Sequence, residues 1–355
     1  MSFKIQSNID LLPYTTFHVS CIAEHFVIVR SVEQVQELVN TDIYTQTTNK
    51  LILSGGSNML LASDRFDGLV IKNEIQGREV VEKTFNEVRI CVGAGENRNE
   101  LVRRTLQQGR VWLENLVSIP GTVGAAPVQN IGAYGAEVKD HILNIEGIDL
   151  QTGKLKTMSN EACQFGYRDS IFKRNLKGNF FITSVTLVLK QYDEKTYAPN
   201  ISYPDVAMKV DELKEIYLEL TLPHIVATAV SQIRANKLPD RKKVGTAGSF
   251  FQNPIISEKE FEKLQISYPQ LKWFPIDVPP GEKGIVKLSG GQLIELAGLK
   301  WYTQNGVWTY ERHALVLVNH SSTKGSDLLD LITFIQNKVQ QLFHVSLYPE
   351  VNIIR

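Results

Sequence analysis

A long loop of small residues at 118–135 carries the clearest chemical signal in the chain. Its four glycines, at 121, 124, 132 and 135, remove Cβ atoms, and no charged residue lies between Pro120 and Gly135. Consecutive backbone N–H groups in such a loop can converge on an anion. The length of the loop predicts a pyrophosphate, held by backbone amides and no cationic side chain. An ordinary flexible loop is disfavoured, since such loops are usually rich in Ser, Lys and Asp.

A second small-residue turn, SGGSNML at 54–60, follows a predicted strand. It is not a P-loop, because no Gly-Lys-Ser/Thr sequence follows. Alone it predicts only a β-turn. As a partner of the loop at 118–135, it could grip the second phosphate of a dinucleotide.

Arg168 is a candidate anion-binding side chain within YRDSIFK at 167–173. A guanidinium can fork onto a carboxylate or a phosphate. A surface salt bridge with Asp169 or another acidic residue is the alternative, and the residues alone leave both open.

Ser249 and Glu350 are candidates for proton transfer. Ser249 follows two glycines and precedes two aromatic residues in GTAGSFFQNP, without the G-x-S-x-G elbow of a hydrolase. It could donate a proton or merely cap the turn. Glu350 lies in the apolar segment YPEVNII, where partial burial would raise its pKa toward that of a general acid. A water-facing glutamate on an edge strand is the alternative.

Other motifs are weak. GAG at 93–95 suggests a Rossmann turn, but Arg98 occupies the position of the third glycine, so a tight strand–helix turn is favoured. The histidines and cysteines form no metal-binding pattern, which predicts no metal site. The basic run at 241–243 is either a solvated loop or an aid to receiving an anionic substrate.

Alternating strands and helices must position these residues. Strands are predicted at 25–31, 50–60, 68–73, 87–96, 144–158 (a hairpin turning at 152–153), 179–192, 313–321 and 345–355. Helices are predicted at 32–39, 99–109 (with Gly109 as C-cap), 224–238, 287–298 and 326–343. The apolar face of the last helix comprises Leu328, Leu331, Ile332, Ile335, Val339 and Leu342. The Tyr- and Pro-rich stretch at 193–223 predicts a loop or an insertion.

Composition narrows the class of protein. The 355 residues predict two or three domains, and 38 basic residues balance 38 acidic ones. This balance disfavours a nucleic-acid footprint and a charged disordered tail. The cysteines are odd in number and form no C-x-x-C pair, which favours a reducing compartment. We expect a cytoplasmic protein, since the sequence shows no signal peptide, and no membrane span, since no run of about 18 apolar residues occurs.

Together these segments resemble the UDP-N-acetylenolpyruvoylglucosamine reductase family (UDP-N-acetylmuramate dehydrogenases), in its longer type with a tyrosine lid loop. The resemblance covers nearly the whole chain in order. It is carried by GSN (56–58), GAGEN (93–97), IPGTVGAAPVQNIGAYGAE (119–137), YRDSIFK (167–173), KLPD (237–240), GSFFQNP (248–254), HALVLVN (313–319) and PEV (349–351).

The resemblance implies an α+β fold: a two-part FAD-binding domain of the PCMH/vanillyl-alcohol-oxidase type and a C-terminal α+β substrate domain. The implied divisions are FAD subdomain 1 at 1–72, FAD subdomain 2 at 73–223 with a lid insertion near 193–223, a substrate-binding domain at 224–345, and a C-terminal strand at 346–355 that returns to the active site. A monomer is expected.

The resemblance also implies cofactors and site residues. FAD would be bound by Gly55, Gly56, Ser57, Asn58, Ile119, Pro120, Gly121, Thr122, Val123, Gly124, Ala125, Gln129, Asn130, Gly132, Ala133, Tyr134 and Gly135. The nucleotide-sugar substrate would be contacted by Tyr167, Tyr203, Lys237, Asn253 and Lys287.

By resemblance, the reaction is the reduction of UDP-N-acetylglucosamine enolpyruvate to UDP-N-acetylmuramate in peptidoglycan precursor synthesis. NADPH reduces the flavin, and flavin N5 then passes hydride to the enolpyruvyl methylene. Arg168 would bind the carboxylate and stabilise the enolate, Ser249 would supply the proton, and Glu350 would assist.

Three positions depart from the family pattern: Ser54, Arg98 and the segment Gly290–Gln292, whose two glycines would weaken a helix by about 1 kcal/mol each relative to Ala. Two other functions stay open: another flavin oxidoreductase of this type acting on a sugar or an alcohol, and a non-enzymatic nucleotide-sugar binding protein.

Overall fold

A computed structural model describes residues 2–274 and 284–355, and the chain divides into two compact units. Unit 1 comprises Met1–Ile9, Ala23–Gly56 and Asp67–Asn236. Unit 2 comprises Asp10–Ile22, Ser57–Phe66 and Lys237–Arg355. The first small-residue turn is therefore shared, with Gly55 and Gly56 in unit 1, and Ser57 and Asn58 in unit 2.

Strands and helices alternate along the described chain. The strands are β1 (Ile5–Asp10), β2 (Ile22–Val29), β3 (Lys50–Leu53), β4 (Met59–Leu61), β5 (Arg65–Asn73), β6 (Arg78–Lys83), β7 (Glu87–Gly93), β8 (Arg110–Val111), β9 (Gly132–Ala133), β10 (Ala136–Glu137), β11 (Ile142–Asp149), β12 (Leu155–Ser159), β13 (Phe180–Gln191), β14 (Ile255–Ser257), β15 (Trp273–Phe274), β16 (Ile285–Leu288), β17 (Thr303–Gln304), β18 (Val307–Thr309), β19 (Leu317–Asn319) and β20 (Asn352–Ile354). The α-helices are α1 (Val32–Leu38), α2 (Asp42–Gln46), α3 (Arg98–Gln107), α4 (Pro204–Ile216), α5 (Leu222–Lys237), α6 (Glu258–Ser267), α7 (Gly290–Leu296) and α8 (Gly325–Phe343).

Two sheets build most of unit 1. One has the order β1-β2-β5-β3, with β3 and β5 parallel. The other has the order β12-β11-β13-β7-β6, and the long central strand β13 also pairs with β8. β7 buries every second residue (Val88, Ile90 and Val92), as a strand with one covered face should. These residues share a core with the apolar faces of α3, α4 and α5.

Unit 2 contains short sheets and its longest helix, α8. β4 pairs in parallel with β20, and the remaining strands form the sheets β14-β16-β15 and β17-β18-β19. α8 confirms the prediction at 326–343, with one exception on its buried face. Leu342 is 39% exposed, whereas Phe343 is 2% exposed. Phe343 lies four residues after Val339, so it continues the buried stripe that Leu342 was expected to end.

Several predicted elements have different bounds. The stretch 193–223 contains a helix, α4, because Val206, Val210 and Leu213 recur at helical spacing within polar surroundings. The predicted strand at 313–321 is shorter and covers only Leu317–Asn319.

The predicted helix at 287–298 is instead strand β16 followed by helix α7. The Ser289 hydroxyl accepts the backbone N–H of Gln292 and so starts the helix at Gly290. Glu350 lies just before β20 rather than inside a strand. Lys287 therefore lies on a strand, and Glu350 lies in a bend.

Candidate active site

Within unit 1, the two small-residue turns approach each other at Gly55 and Gly121. A Cβ atom added to Gly55 would lie 2.9 Å from the Cα of Gly121, closer than real Cβ contacts. Gly121 also has a φ of 114°, which favours glycine. The two turns thus meet backbone to backbone, and a larger residue at Gly55 would push them apart.

The turn after β7 holds the long loop in place. The N–H of Val123 donates to the carbonyl of Glu96, and that of Gly124 donates to the carbonyl of Ala94, both at 2.9 Å. A Cβ atom on Gly124 would lie 2.4 Å from the Cβ of Ala94. The GAG turn at 93–95, which resembled a Rossmann motif, therefore packs against the loop at 118–135 and helps to fix its conformation.

Two cations lie beside these turns, although the loop was expected to use no cationic side chain. Arg98 is 6% exposed, and its guanidinium donates to the carbonyl of Pro120. The ammonium of Lys72 donates to the carbonyl of Ser54 at 2.6 Å, and burial lowers the pKa of Lys72. Both come from elements distant in sequence from the glycines, so spacing along the chain gave no signal for them.

Arg168 occupies a tight turn that faces the loop. Its φ is 52°, and a guanidinium N–H donates to the carbonyl of Gly132 at 2.8 Å. The guanidinium also lies 5.4 Å from the ring centre of Tyr167. Asp169 forms its ion pair with Arg174. The structure thus brings three predicted site residues together: Arg168, Tyr167 and Gly132.

Asn130 joins the same turn to the loop from within the protein. It has no exposed surface, and its amide nitrogen donates to the carbonyl of Gly166 and to the carboxylate of Glu137, both at 3.0 Å. Its amide oxygen accepts the N–H of Lys139 at 3.1 Å. These bonds show that the Asn130 side chain holds the loop in shape. The sequence had predicted only a contact between Asn130 and the cofactor.

Tyr203 begins α4 and is 48% exposed. Its ring meets that of Tyr134 edge-on, with 5.9 Å between the ring centres. The predicted substrate tyrosine therefore touches the predicted cofactor loop.

In unit 2, Ser249 and Glu350 lie on adjoining segments. The N–H of Glu350 donates to the carbonyl of Phe250, the residue after Ser249, at 2.7 Å. The amide of Asn58 donates to the carbonyl of Glu350 at 3.2 Å. Phe250 has no exposed surface and anchors the segment in the core. Three predicted site residues that are far apart in sequence thus converge.

The hydroxyl of Thr246 caps the turn before Ser249. It accepts the N–H of Gly248 at 3.2 Å and donates to the carbonyl of Leu317 at 2.8 Å. Gly248 has a φ of 79°. Thr246 therefore caps this turn, and the two roles considered for Ser249 stay predictions.

The remaining substrate candidates in unit 2 are Asn253 and Lys287, which lie near α7, and Lys237, the last residue of α5. The side-chain oxygen of Asn253 accepts the N–H of Gly290 at 3.0 Å. The ammonium of Lys287 lies 5.9 Å from the ring centre of Phe274. Burial and then the charge of Lys237 lower the pKa of His313, a residue that the sequence analysis had not singled out.

The described residues contain no group of three His, Cys, Asp or Glu side chains that could hold a metal ion. Among the same residues, no helix is long and apolar enough to cross a membrane.

Comparison with known proteins identifies the family. Residues 239–354 match the C-terminal domain of UDP-N-acetylenolpyruvoylglucosamine reductase, and residues 23–159 match an FAD binding domain. The reductase of Flavobacterium johnsoniae is 38% identical over 351 residues, covering 99% of this chain and 100% of that protein. The reductase of Neisseria gonorrhoeae is 39% identical over 348 residues, covering 98% and 97%. The chain belongs to the UDP-N-acetylenolpyruvoylglucosamine reductase family.

Solved structures support the fold. UDP-N-acetylenolpyruvylglucosamine reductase from Thermus caldophilus has a TM-score of 0.66 at 22% identity, covering 99% of both chains. Cholesterol oxidase from B. sterolicum has a TM-score of 0.52 at 9% identity, covering 98% of this chain and 86% of the other. The predicted α+β fold, with an FAD-binding domain of the PCMH/vanillyl-alcohol-oxidase type, is confirmed.

As a member of the reductase family, the chain is an FAD-dependent oxidoreductase of peptidoglycan precursor synthesis that acts on an enolpyruvyl carbon–carbon double bond. The residues at these turns are compatible with a pyrophosphate, because the backbone at Gly55 and Gly121 carries no side chain and the cations Arg98 and Lys72 lie beside it. The alternative function, an oxidase for another sugar or alcohol, is not favoured.

Proposed function

We propose that this reductase uses NADPH to reduce UDP-N-acetylglucosamine enolpyruvate to UDP-N-acetylmuramate, with Ser249 as the proton donor. One observation supports the proposal beyond family membership: the backbone hydrogen bond from the N–H of Glu350 to the carbonyl of Phe250, the residue after Ser249, which places the two segments side by side. A proton donor and a carboxylate on adjoining rigid segments suit a site that must protonate carbon.

FAD would be held by the turn at 55–58 and the loop at 119–135. When bound, FAD supplies the hydride that it has received from NADPH. Arg98 and Lys72 add positive charge beside these turns without being part of the loop.

Arg168 is proposed to bind the substrate carboxylate and to stabilise the negative charge that develops when the double bond is reduced. Its hydrogen bond to Gly132 limits where the guanidinium can lie. Restricting a long side chain in advance lowers the entropic cost of binding an anion.

Ser249 is proposed to protonate the substrate carbon, and Glu350 to assist the transfer. A serine hydroxyl is a weak acid, so its proton transfer needs a preorganised site. The anchoring of Phe250 in the core supplies that rigidity. Tyr167, Tyr203, Lys237, Asn253 and Lys287 are proposed to contact the nucleotide sugar.

We further propose four functional segments: residues 1–72 and 73–223 for FAD, with a lid insertion at 193–223; 224–345 for substrate; and 346–355 for the returning C-terminal strand. A cytoplasmic monomer is proposed as well. The three cysteines, Cys21, Cys91 and Cys163, form no disulfide among the described residues, which suits a reducing compartment. Light scattering of the purified protein and fractionation of cells test these two points.

Anaerobic half-reactions test the catalytic proposal. NADPH should bleach the flavin absorbance, and UDP-N-acetylglucosamine enolpyruvate should restore it. The variant Ser249→Ala should keep bleaching by NADPH but lose most of the restoration by substrate. Ser326→Ala, at an exposed serine in the same unit, is the matched control and should keep both. Equal loss of both half-reactions in Ser249→Ala would make Ser249 structural, and no restoration in the unaltered protein would refute the proposed substrate.

A further inference from the structure

Asn115 connects the FAD loop to the segment that carries Tyr203. Asn115 is 3% exposed and lies in a short 3-10 turn at Glu114–Leu116. Its amide nitrogen donates to the carbonyl of Tyr134 at 2.9 Å and to the carbonyl of Asn200 at 2.8 Å. We call residues 197–203 the tyrosine segment. One buried amide thus holds the FAD loop and the tyrosine segment together.

Two further contacts tighten this junction. The rings of Tyr134 and Tyr203 meet edge-on. A Cβ atom on Gly135 would lie 2.8 Å from the amide nitrogen of Asn200 and 3.0 Å from the hydroxyl of Ser202. Because the loop and the segment are in close contact at three points, a shift of either must displace the other.

The neighbouring residue fixes the other end of the tyrosine segment. The hydroxyl of Tyr197 donates to one carboxylate oxygen of Glu114, and the N–H of Trp112 donates to the other at 2.6 Å. Glu114 is 3% exposed, and burial raises its pKa. Glu114 therefore anchors the start of the segment, and Asn115 ties the part next to Tyr203 to the FAD loop.

We propose that Asn115 is a positioning residue that couples the occupancy of the FAD loop to the placement of Tyr203. FAD that orders the loop would then preorganise Tyr203 for the diphosphate of the nucleotide sugar. By linkage, the sugar nucleotide would tighten the binding of FAD by the same factor. The choice of ligand for Tyr203 rests on the proposed function, whereas the coupling itself rests on the contacts of Asn115.

The test replaces the donor without changing its size. In Asn115→Asp, a carboxylate oxygen faces the two carbonyl oxygens and repels them. The matched control is Asn160→Asp, because the Asn160 amide also donates to two carbonyls, those of Lys139 and Ile142, at 2.7 and 2.8 Å. Asn160 contacts neither the FAD loop nor the tyrosine segment through these bonds. A third variant, Asn115→Gln, keeps an amide donor.

Hydrogen exchange with and without FAD reads the coupling directly. In the unaltered protein and in Asn160→Asp, FAD should slow exchange in residues 119–135 and in residues 198–203. In Asn115→Asp, the loop should still be protected, but protection of the tyrosine segment should disappear, and Asn115→Gln should recover part of it. Undiminished protection of the segment in Asn115→Asp would overturn the proposal. Loss of FAD binding in both Asn115 variants would also overturn it, since Asn115 would then only maintain the fold.

Titration with UDP separates the coupling from the proposed function. FAD should increase the affinity of the unaltered protein for UDP by about fivefold or more, a typical size for coupling between sites. In Asn115→Asp, the ratio of the two affinities should fall to one, and a retained ratio would overturn the proposal. If UDP binds no form of the protein while FAD still protects the segment, the coupling stands and the assignment of Tyr203 to the nucleotide sugar fails.

Discussion

Replacing Gly124 by alanine should weaken FAD binding through a single added methyl group. The new Cβ atom would lie 2.4 Å from the Cβ of Ala94, 3.0 Å from its Cα and 3.2 Å from its carbonyl oxygen. Carbon atoms in contact prefer about 3.5–4.0 Å, so the loop must move away from the turn by about 1 Å. That shift also stretches the 2.9 Å hydrogen bond from the N–H of Gly124 to the carbonyl of Ala94 beyond its normal range.

The expected magnitude follows from these two effects. Overpacking a well-filled site costs about 1–3 kcal/mol, and losing a hydrogen bond costs about 0.5–1.5 kcal/mol. A combined cost of about 1.5–4.5 kcal/mol corresponds to at least a tenfold rise in the Kd for FAD, at about 1.4 kcal/mol per factor of ten. Part of the cost will appear as a lower Tm of the apoprotein if its loop cannot relax.

Quenching of FAD fluorescence measures the Kd, and thermal unfolding measures the Tm. The second substitution Ala94→Gly removes the closest clash and should restore part of the affinity of Gly124→Ala. The comparison must be made against Ala94→Gly alone, in a double-mutant cycle. A Gly124→Ala variant with the affinity and Tm of the unaltered protein would refute the reasoning. Simple additivity of the two substitutions in the free energy of FAD binding would refute it as well.

Further predictions concern unit 2. Gly291→Ala should be neutral or stabilising by up to about 1 kcal/mol, because its Cβ would lie at an ordinary contact distance of 3.6 Å from the Cγ of Leu315. Gly290→Ala should lower the Tm, because its Cβ would lie only 3.1 Å from a methyl carbon of Leu315. Phe343→Ala should cost about 3–5 kcal/mol in urea unfolding, and the exposed neighbour Leu342→Ala should cost far less. Burial lowers the pKa of His313 in the folded protein, so the unfolded chain binds more protons as the pH falls. The stability that neutral His313 contributes is therefore present above about pH 6.5, the usual pKa of histidine, and is lost as the pH falls through the lower folded-state pKa. His313→Gln should therefore lose less stability than the unaltered protein on acidification, and equal acid-induced losses of Tm would contradict this.

The departures from the family pattern acquire physical explanations in the structure. Gly290 and Gly291 were expected to weaken the middle of a helix, yet they form the first turn of α7, where Gly290 packs closely on Leu315. Arg98, another departure, donates to the carbonyl of Pro120. Neither role could be read from the local sequence, because each depends on a partner more than 20 residues away.

The sequence alone indicated the glycine-rich loop at 118–135, the family, and the longer helices and strands. Glycine spacing and helical periodicity are local properties, since they follow from backbone conformations and from residues within a few turns of each other. The helix α8 and the loop at 118–135 were recognisable for that reason.

Only the tertiary structure decided which hydrogen bonds support the two small-residue turns. Asn130, Asn115 and Lys72 act through hydrogen bonds to carbonyl groups that the fold brings near them. Sequence patterns report side-chain types but not the direction in which a folded backbone presents its carbonyls. The sequence therefore indicated the candidate site residues. The buried amides and cations that form hydrogen bonds to the two small-residue turns were identified only in the folded chain.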